Sequence, residues 1–312
     1  MTQPKALAII NEVRKAIVGK DTVVCKALMA VIAGGHILLE DNPGVGKTTM
    51  ALAFSRAMSM SFSRVQFTPE TMPSDVVGYS MYNKETGRLE YRPGAALCNL
   101  FLADEINRTS AKTQSALLEA MEEGQVTMDG ASYPLPVPYT VIATQNPLGT
   151  AGTQPLPESQ LDRFMLRLSI GYPSVEQEVK ILKQTEGRRP LDSIVPVAAL
   201  QEVEGMRREA AAVHVAEDLY RYVAELCTAT REDPSLRLGA SPRAGGALIR
   251  ACRASAWMGG RDYIVPADIN LLFYDVLSHR VVLEPQAKMN GLDAHSVLEG
   301  VMAHVPAPRL LK

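Results

Sequence analysis

The stretch Asp41-Asn42-Pro43-Gly44-Val45-Gly46-Lys47-Thr48-Thr49 has the residue types of a loop that cradles phosphate. Gly44 and Gly46 let the backbone turn its N–H groups toward an anion, and a helix starting just after them adds the partial positive charge of its N-terminus. At this spacing Lys47 reaches the β and γ phosphates of a nucleotide and Thr48 offers its hydroxyl to Mg2+, with Asn42, Pro43, Val45 and Thr49 completing the cofactor-binding loop. One position departs from the pattern G-x-x-x-x-G-K-[ST]: Asp41 stands where glycine usually begins it. Aspartate tolerates turn conformations better than most residues. Its carboxylate has to face away from the phosphates, capping neighbouring N–H groups, because a like charge opposes binding. On this reading Asp41→Gly leaves nucleotide binding largely intact.

Four further elements follow in order. Asn99-Leu100-Phe101-Leu102-Ala103-Asp104-Glu105 is an apolar strand ending in two carboxylates. At the carboxyl edge of a parallel sheet, Asp104 is placed to hold Mg2+ and Glu105 to orient and deprotonate an attacking water. Tyr139 to Thr144 reads as another strand, and the amide of Asn146 beyond its tip suits the γ-phosphate or the water, or else simply forms the turn before Pro147. Arg163 lies between a helix and a strand, where it pairs with Asp162 or Glu158 or reaches the phosphate of an adjacent subunit. Arg243 falls near a helix start, an unfavourable place for a cation unless an anion such as nucleotide phosphate is its partner.

The elements that must carry these residues alternate as a parallel α/β sheet does. Buried strands are expected at 36–39, 63–67, 100–103, 139–144 and 165–170, with helices between them at 47–58 and 113–122. Two segments break the alternation. Residues 78–94 carry tyrosines around an Asn83–Gly87 turn, and 124–138 carry Asp129-Gly130; both read as β-hairpins. From Ser174 onward the pattern is helical only, with helices at 175–185, 197–212, 216–230, 242–258, 266–282 and near 294–304. Proline at positions 242 and 266 suits first helical turns. The expected domains are therefore 1–173 and 174–312.

A net charge of −2 advertises no nucleic-acid or anionic-membrane partner over the whole chain. Cys25, Cys98, Cys227 and Cys252 form no C-x-x-C pair and suit buried thiols in a reducing, cytoplasmic compartment. The five histidines have no metal-ligand spacing, so Mg2+ is the expected metal. No apolar run approaches the ~18 residues of a membrane span, and the charged N-terminus is not that of a secretory signal.

In this order the five elements resemble the AAA+ ATPases, and the wording of QFTPETMPSDVVGYSMYN, LADEINRTSAKTQSALLEAMEEGQVTMDG, YPLPVPYTVIATQNP and GTQPLPESQLDRFMLRLSIGYP resembles the MoxR family within them. The resemblance covers almost the whole chain and is densest from His36 to Tyr172. It implies a P-loop α/β core with two inserted β-hairpins, an all-helical lid, and ring-like hexamers with ATP between neighbours. It assigns Lys47 and Thr48 to Walker A, Asp104 and Glu105 to Walker B, Asn146 to sensor 1, Arg163 to the arginine finger and Arg243 to sensor 2. Arg108 and Arg167 remain alternatives for the finger, and Arg243 can act in its own subunit or across the interface. The hairpins would face the pore, where Tyr79, Tyr82 and Tyr91 either contact a client or pack the hairpins themselves. A chaperone-like role on partners that often carry a von Willebrand factor A domain, sometimes with metal-cofactor insertion, is implied too. A nucleic-acid motor is the alternative, but Lys84, Arg88 and Arg92 in the first hairpin are offset by Glu85 and Glu90.

Overall fold

The computed structural model describes residues 3–146, 156–185 and 190–308. Pro147 and the 152–155 part of the GTQPLPESQLDRF stretch lie outside them. Helices α1 (Pro4–Arg14) and α2 (Asp21–Ile32) precede β1 (Ile37–Glu40), and α3 (Lys47–Ala57) leads to β2 (Phe62–Gln66). A short α4 (Pro73–Val77) opens the first hairpin, β3 (Gly78–Asn83) and β4 (Arg88–Pro93). Then come β5 (Leu100–Asp104), α5 (Ala111–Glu123), the second hairpin of β6 (Gln125–Met128) and β7 (Ala131–Pro134), and β8 (Thr140–Gln145). A one-turn α6 (Glu158–Leu161) and β9 (Leu166–Leu168) close this part.

The five strands expected from sequence form one parallel sheet in the order β2-β5-β8-β1-β9. The central strands β5, β8 and β1 are covered on both faces, which is why they read as nearly continuous apolar runs, whereas the edge strands β2 and β9 carry Arg64, Gln66 and Arg167. Alternate side chains go to opposite faces. Ile37, Leu39, Leu100, Leu102 and Ile142 join the core with α1, α2 and α3, whereas Leu38, Phe101, Ala103, Val141 and Ala143 pack against Leu117, Leu118 and Met121 of α5 and against Phe164.

In the second hairpin Asp129 and Gly130 both have positive φ, 49° and 78°, the backbone that Asp-Gly favours in a two-residue turn. In the first, the Asn83 side chain accepts the Glu85 N–H at 2.8 Å and holds the turn. The two hairpins touch. Tyr91 of β4 stacks on Tyr133 of β7 with ring centroids 3.9 Å apart, and its hydroxyl donates to the Val77 carbonyl.

The second part contains α7 (Val175–Thr185), α8 (Leu200–Ala211), α9 (Glu217–Glu232), α10 (Pro242–Met258) and α11 (Pro266–Leu277), then α12 (Pro285–Met289) and α13 (Ala294–His304). It is not purely helical: β10 (Leu236–Leu238) and β11 (Val282–Leu283) form a small antiparallel pair. The helix expected over 266–282 therefore stops at Leu277. The chain turns there because His279 and Arg280 reach back to the sheet: His279 Nε2 bonds the Phe164 carbonyl at 2.9 Å and Arg280 Nη2 donates to it at 2.7 Å. Arg280 is buried, and Asp162 neutralises it at 2.7 Å. Arg207 of α8 similarly donates to the carbonyls of Val31 and Tyr139. The lid is thus fastened to the amino-terminal edge of the sheet.

Candidate functional site

In-register pairing places Gln66 beside Asp104, and Glu40 beside Gln145, at the carboxyl edge of the sheet. The loop after β1 arches over this edge. Gly44 and Gly46 have φ of 86° and 97°, and a Cβ would meet nothing within 4 Å at Gly44 and one side-chain atom at 3.7 Å at Gly46. Backbone conformation, not space, requires glycine at both. The loop ends at the amino terminus of α3, whose first-turn amides have no partner within the helix. Lys47 is buried and its Nζ donates to the loop's own carbonyls, Asp41 at 2.6 Å and Asn42 at 3.3 Å. Burial pushes its ammonium below the usual lysine range, and the carboxylates of Asp41, Asp104 and Glu105 oppose that shift. Thr48 and Thr49 line the same cleft, about 370 Å3, as Arg64, Gln66, Asp104 and Glu105.

Thr144 organises the two acids. Its hydroxyl donates to Asp104 Oδ1 at 2.6 Å and accepts the Glu105 N–H at 2.8 Å. That pairing helps hold Glu105 in the left-handed conformation, φ 57° and ψ 50°, which costs a non-glycine residue about 1 kcal/mol or more. The turn lifts the Glu105 carboxylate toward the cleft, where Arg108 pairs with it at 2.9 Å. Arg64 of β2 donates to Asp104 Oδ2 at 2.7 Å. Sequence reading missed Arg64; the available signal was its i, i+2 spacing from Gln66, which puts both on one face of β2.

Asn146 follows β8 at the same edge. Gln145 donates to Glu40 at 2.9 Å, and Arg167 of β9 pairs with the other Glu40 oxygen at 3.1 Å. The Asp41 carboxylate faces away from the loop and accepts from Ser169 Oγ at 2.7 Å, the Ile170 N–H at 2.6 Å and the Gly171 N–H at 3.0 Å.

A second cleft, about 470 Å3, shares Pro43, Gly44, Gly46 and Thr49 with the first and extends over Val18, Tyr172 and Ile181. No motif flags these apolar residues, which come from three distant segments.

Arg163 and Arg243 are brought together, but not here. β1 and β9 run parallel with Ile37 opposite Leu166, so Arg163, before β9, lies beyond the amino-terminal edge while the loop after Glu40 lies beyond the carboxyl edge. Arg163 Nε is 3.0 Å from Glu122 Oε2, and Arg243 Nη2 is 2.7 Å from Glu122 Oε1. With Arg250, Arg280, Asp162 and His36 they line a separate cavity of about 140 Å3. The anion expected beside Arg243 is, within the chain, the carboxylate of Glu122. His36 is pinned as the neutral ring: Nδ1 accepts the Val141 N–H at 3.0 Å and Nε2 faces the Met121 carbonyl at 3.2 Å, and burial pushes its pKa down to about 4.

Among the described residues there is no cluster of three or more His, Cys, Asp or Glu able to hold a metal, and no helix is long and apolar enough to cross a membrane.

Comparison with known proteins places this geometry. Residues 36–166 match the model described as the ATPase family associated with various cellular activities, and residues 228–301 match an AAA lid domain. The protein YeaC of Bacillus subtilis (strain 168) is 46% identical over 96% of this chain and 93% of its own length. Chaperone MoxR1 of Mycobacterium tuberculosis is 38% identical over 96% of this chain and 82% of its own. The crystal structure of a candidate ATPase from Cytophaga hutchinsonii superposes with a TM-score of 0.91 at 37% identity, covering 98% of this chain and 95% of that one. Similarity of this extent, on a chain whose 41–49 loop and strand-end Asp104 and Glu105 line one cleft, makes the protein a nucleotide-binding, ATP-hydrolysing member of the MoxR family of AAA+ ATPases.

Proposed function

We propose that the protein hydrolyses ATP with Mg2+ in a ring of six subunits, each site completed by its neighbour, and uses the cycle to remodel or activate partner proteins in the cytoplasm. The observation that carries this is the separation just described: Arg163 and Arg243 share Glu122 at the edge of the sheet opposite the phosphate loop. Of the alternatives for the finger, Arg108 pairs with Glu105 and Arg167 with Glu40 at the carboxyl edge, beside this chain's own phosphate loop. The two arginines on Glu122 are thus left to act on a neighbour's nucleotide.

On this reading, residues 1–173 are the nucleotide-binding core and 174–312 the lid. The amides of residues 42–49 and Lys47 hold the phosphates, Lys47 exchanging its loop carbonyls for phosphate oxygens. The base enters the apolar cleft of Val18, Tyr172 and Ile181. Thr48 and Asp104 offer hard oxygen donors, which fit Mg2+. When bound, the ion would supply positive charge against the phosphates. Glu105 accepts a proton from the attacking water, Asn146 steadies that water or the γ-phosphate, and Arg163 with Arg243 stabilises the charge that develops as ADP leaves.

The client contact falls on the first hairpin, where Tyr79, Met81, Tyr82 and Leu89 are exposed while Tyr91 is packed. A relative named a chaperone supports a protein client, and a partner with a von Willebrand factor A domain fits the family wording. In the same hairpin Arg92 lies 3.8 Å from Glu90, a mixed surface unlike a phosphate-tracking one.

The test is Glu105→Gln. It should bind ATP as the wild type does and turn over at least about a hundredfold more slowly; equal turnover removes Glu105 from the reaction.

A further inference from the structure

Glu122 carries a relationship that no motif contains. It is the next-to-last residue of α5, just before Gly124, whose φ of 63° ends the helix and starts the second hairpin. The other end of α5 follows Glu105 and Arg108 at the hydrolysis cleft, ~17 Å away along the helix axis at the usual rise per residue. One carboxylate there bridges two elements far apart in sequence: the segment leading into β9, through Arg163, and the first turn of the lid helix α10, through Arg243.

The charges around it do not cancel. Arg163, Arg243, Arg250 and Arg280 line the cavity against Glu122 and Asp162, four cations against two anions. Asp162 is engaged by Arg280 at 2.7 Å, so Glu122 alone faces Arg163 and Arg243. Arg250 lies two helical turns beyond Arg243 on α10 and has no ion-pair partner among the described residues. Without Glu122, the guanidiniums of Arg163, Arg243 and Arg250 would repel one another and spread through the rotamers open to long side chains. With it, two flexible arginines are held side by side against a common carboxylate, Arg243 by a hydrogen bond and Arg163 by charge. The remaining excess of positive charge suits a polyanion such as a terminal phosphate.

We propose that Glu122 is a positioning residue for hydrolysis across the subunit boundary: it prealigns Arg163 and Arg243 as one bidentate unit and ties that unit to the helix that ends in the second hairpin. This rests on the reading that those two arginines serve the neighbour's nucleotide. Glu122 touches no reacting atom; it acts through the arginines, and its own chain's phosphate loop lies at the opposite edge of the sheet.

The experiment is steady-state ATPase kinetics on the full chain, with ATP and Mg2+ titrated, for Glu122→Gln, Glu122→Asp, Arg163→Ala, Arg243→Ala and Glu122→Gln combined with Arg163→Ala. Thermal unfolding is followed on each. Glu122→Gln should lower kcat about tenfold or more with KM within about twofold, since misplacing a charge-stabilising group costs rate rather than binding. Glu122→Asp should recover part of the loss because it keeps the charge. The double variant should be slower than Arg163→Ala by clearly less than the Glu122→Gln loss alone, because the carboxylate then has only Arg243 left to hold. If Arg163→Ala and Arg243→Ala are slow while Glu122→Gln is as fast as wild type, the positioning role is wrong and the neighbour reading stands. If both arginine variants turn over normally, the neighbour reading itself fails. A Glu122→Gln loss that Asp does not recover, or that adds fully to that of Arg163→Ala, makes Glu122 a structural contact and overturns the proposal.

Discussion

The carboxylate of Asp41 accepts the backbone N–H of Ile170 at 2.6 Å. The residue that breaks the phosphate-loop pattern therefore bonds away from the loop, to the segment that follows β9. Ser169 and Gly171 complete the cap. The first residue of the loop and the exit of the neighbouring strand are one hydrogen-bonded unit.

Asp41→Gly should leave nucleotide affinity within about threefold and yet lower stability by about 2–4 kcal/mol, because the buried Ile170 N–H loses a charged acceptor. Chemical denaturation and nucleotide titration on the same variant separate the two effects. A large loss of affinity at unchanged stability would put Asp41 in the binding site.

The tyrosines of the first hairpin should divide. Tyr82→Ser, at an exposed position, should change stability by less than about 0.5 kcal/mol. Tyr91→Ala removes the stack on Tyr133 and the bond to the Val77 carbonyl, and should cost about 1–3 kcal/mol. Urea denaturation of both variants checks this, and similar costs would mean the two side chains do the same job.

Acid should act through His36. Its pKa is pushed from 6.5 to about 4 in the folded chain, so the unfolded chain takes up a proton that the folded chain refuses. Stability is then lost as pH falls through 6.5, and the loss levels off below about 4. Protonation at Nδ1 would also displace the Val141 N–H. The wild type should lose about 1–3 kcal/mol more than His36→Gln over that window. Denaturant midpoints at pH 7 and pH 4.5 test it; parallel losses would place the titration elsewhere, for instance at His279, which burial also holds well below the usual histidine range.

Much of this was legible in the sequence, for physical reasons that also mark where legibility ends. Leu100–Asp104 and Thr140–Gln145 are buried on both faces, so their apolar runs announce themselves. Asp129-Gly130 announces its turn because few other pairs accept positive φ twice. Strands as short as Leu236–Leu238 and Val282–Leu283 carry too few residues for any periodicity, so the sequence pattern shows only a loop at the first and a helix end at the second. Lys47, Thr48, Asp104 and Glu105 are readable from type and spacing and do converge on one cleft. Arg64 and Thr144 act by cross-strand register, and Glu122 by a fold that brings three distant segments together. An acid at the end of a helix otherwise reads as a solvated charge.

The separation of the phosphate loop from Arg163 is the central claim, and mixing two inactive variants tests it most directly. On the proposed reading Lys47→Ala removes the phosphate contact and Arg163→Ala the arginine, so each alone should be slowed by about a hundredfold or more. In mixed assemblies an intact loop from the Arg163→Ala subunit meets an intact arginine from the Lys47→Ala subunit. The account predicts that ATPase activity reappears on mixing and peaks near equal proportions. Activity that stays at the level of the separate variants at every ratio, with mixed assembly verified by differential tagging, would contradict it.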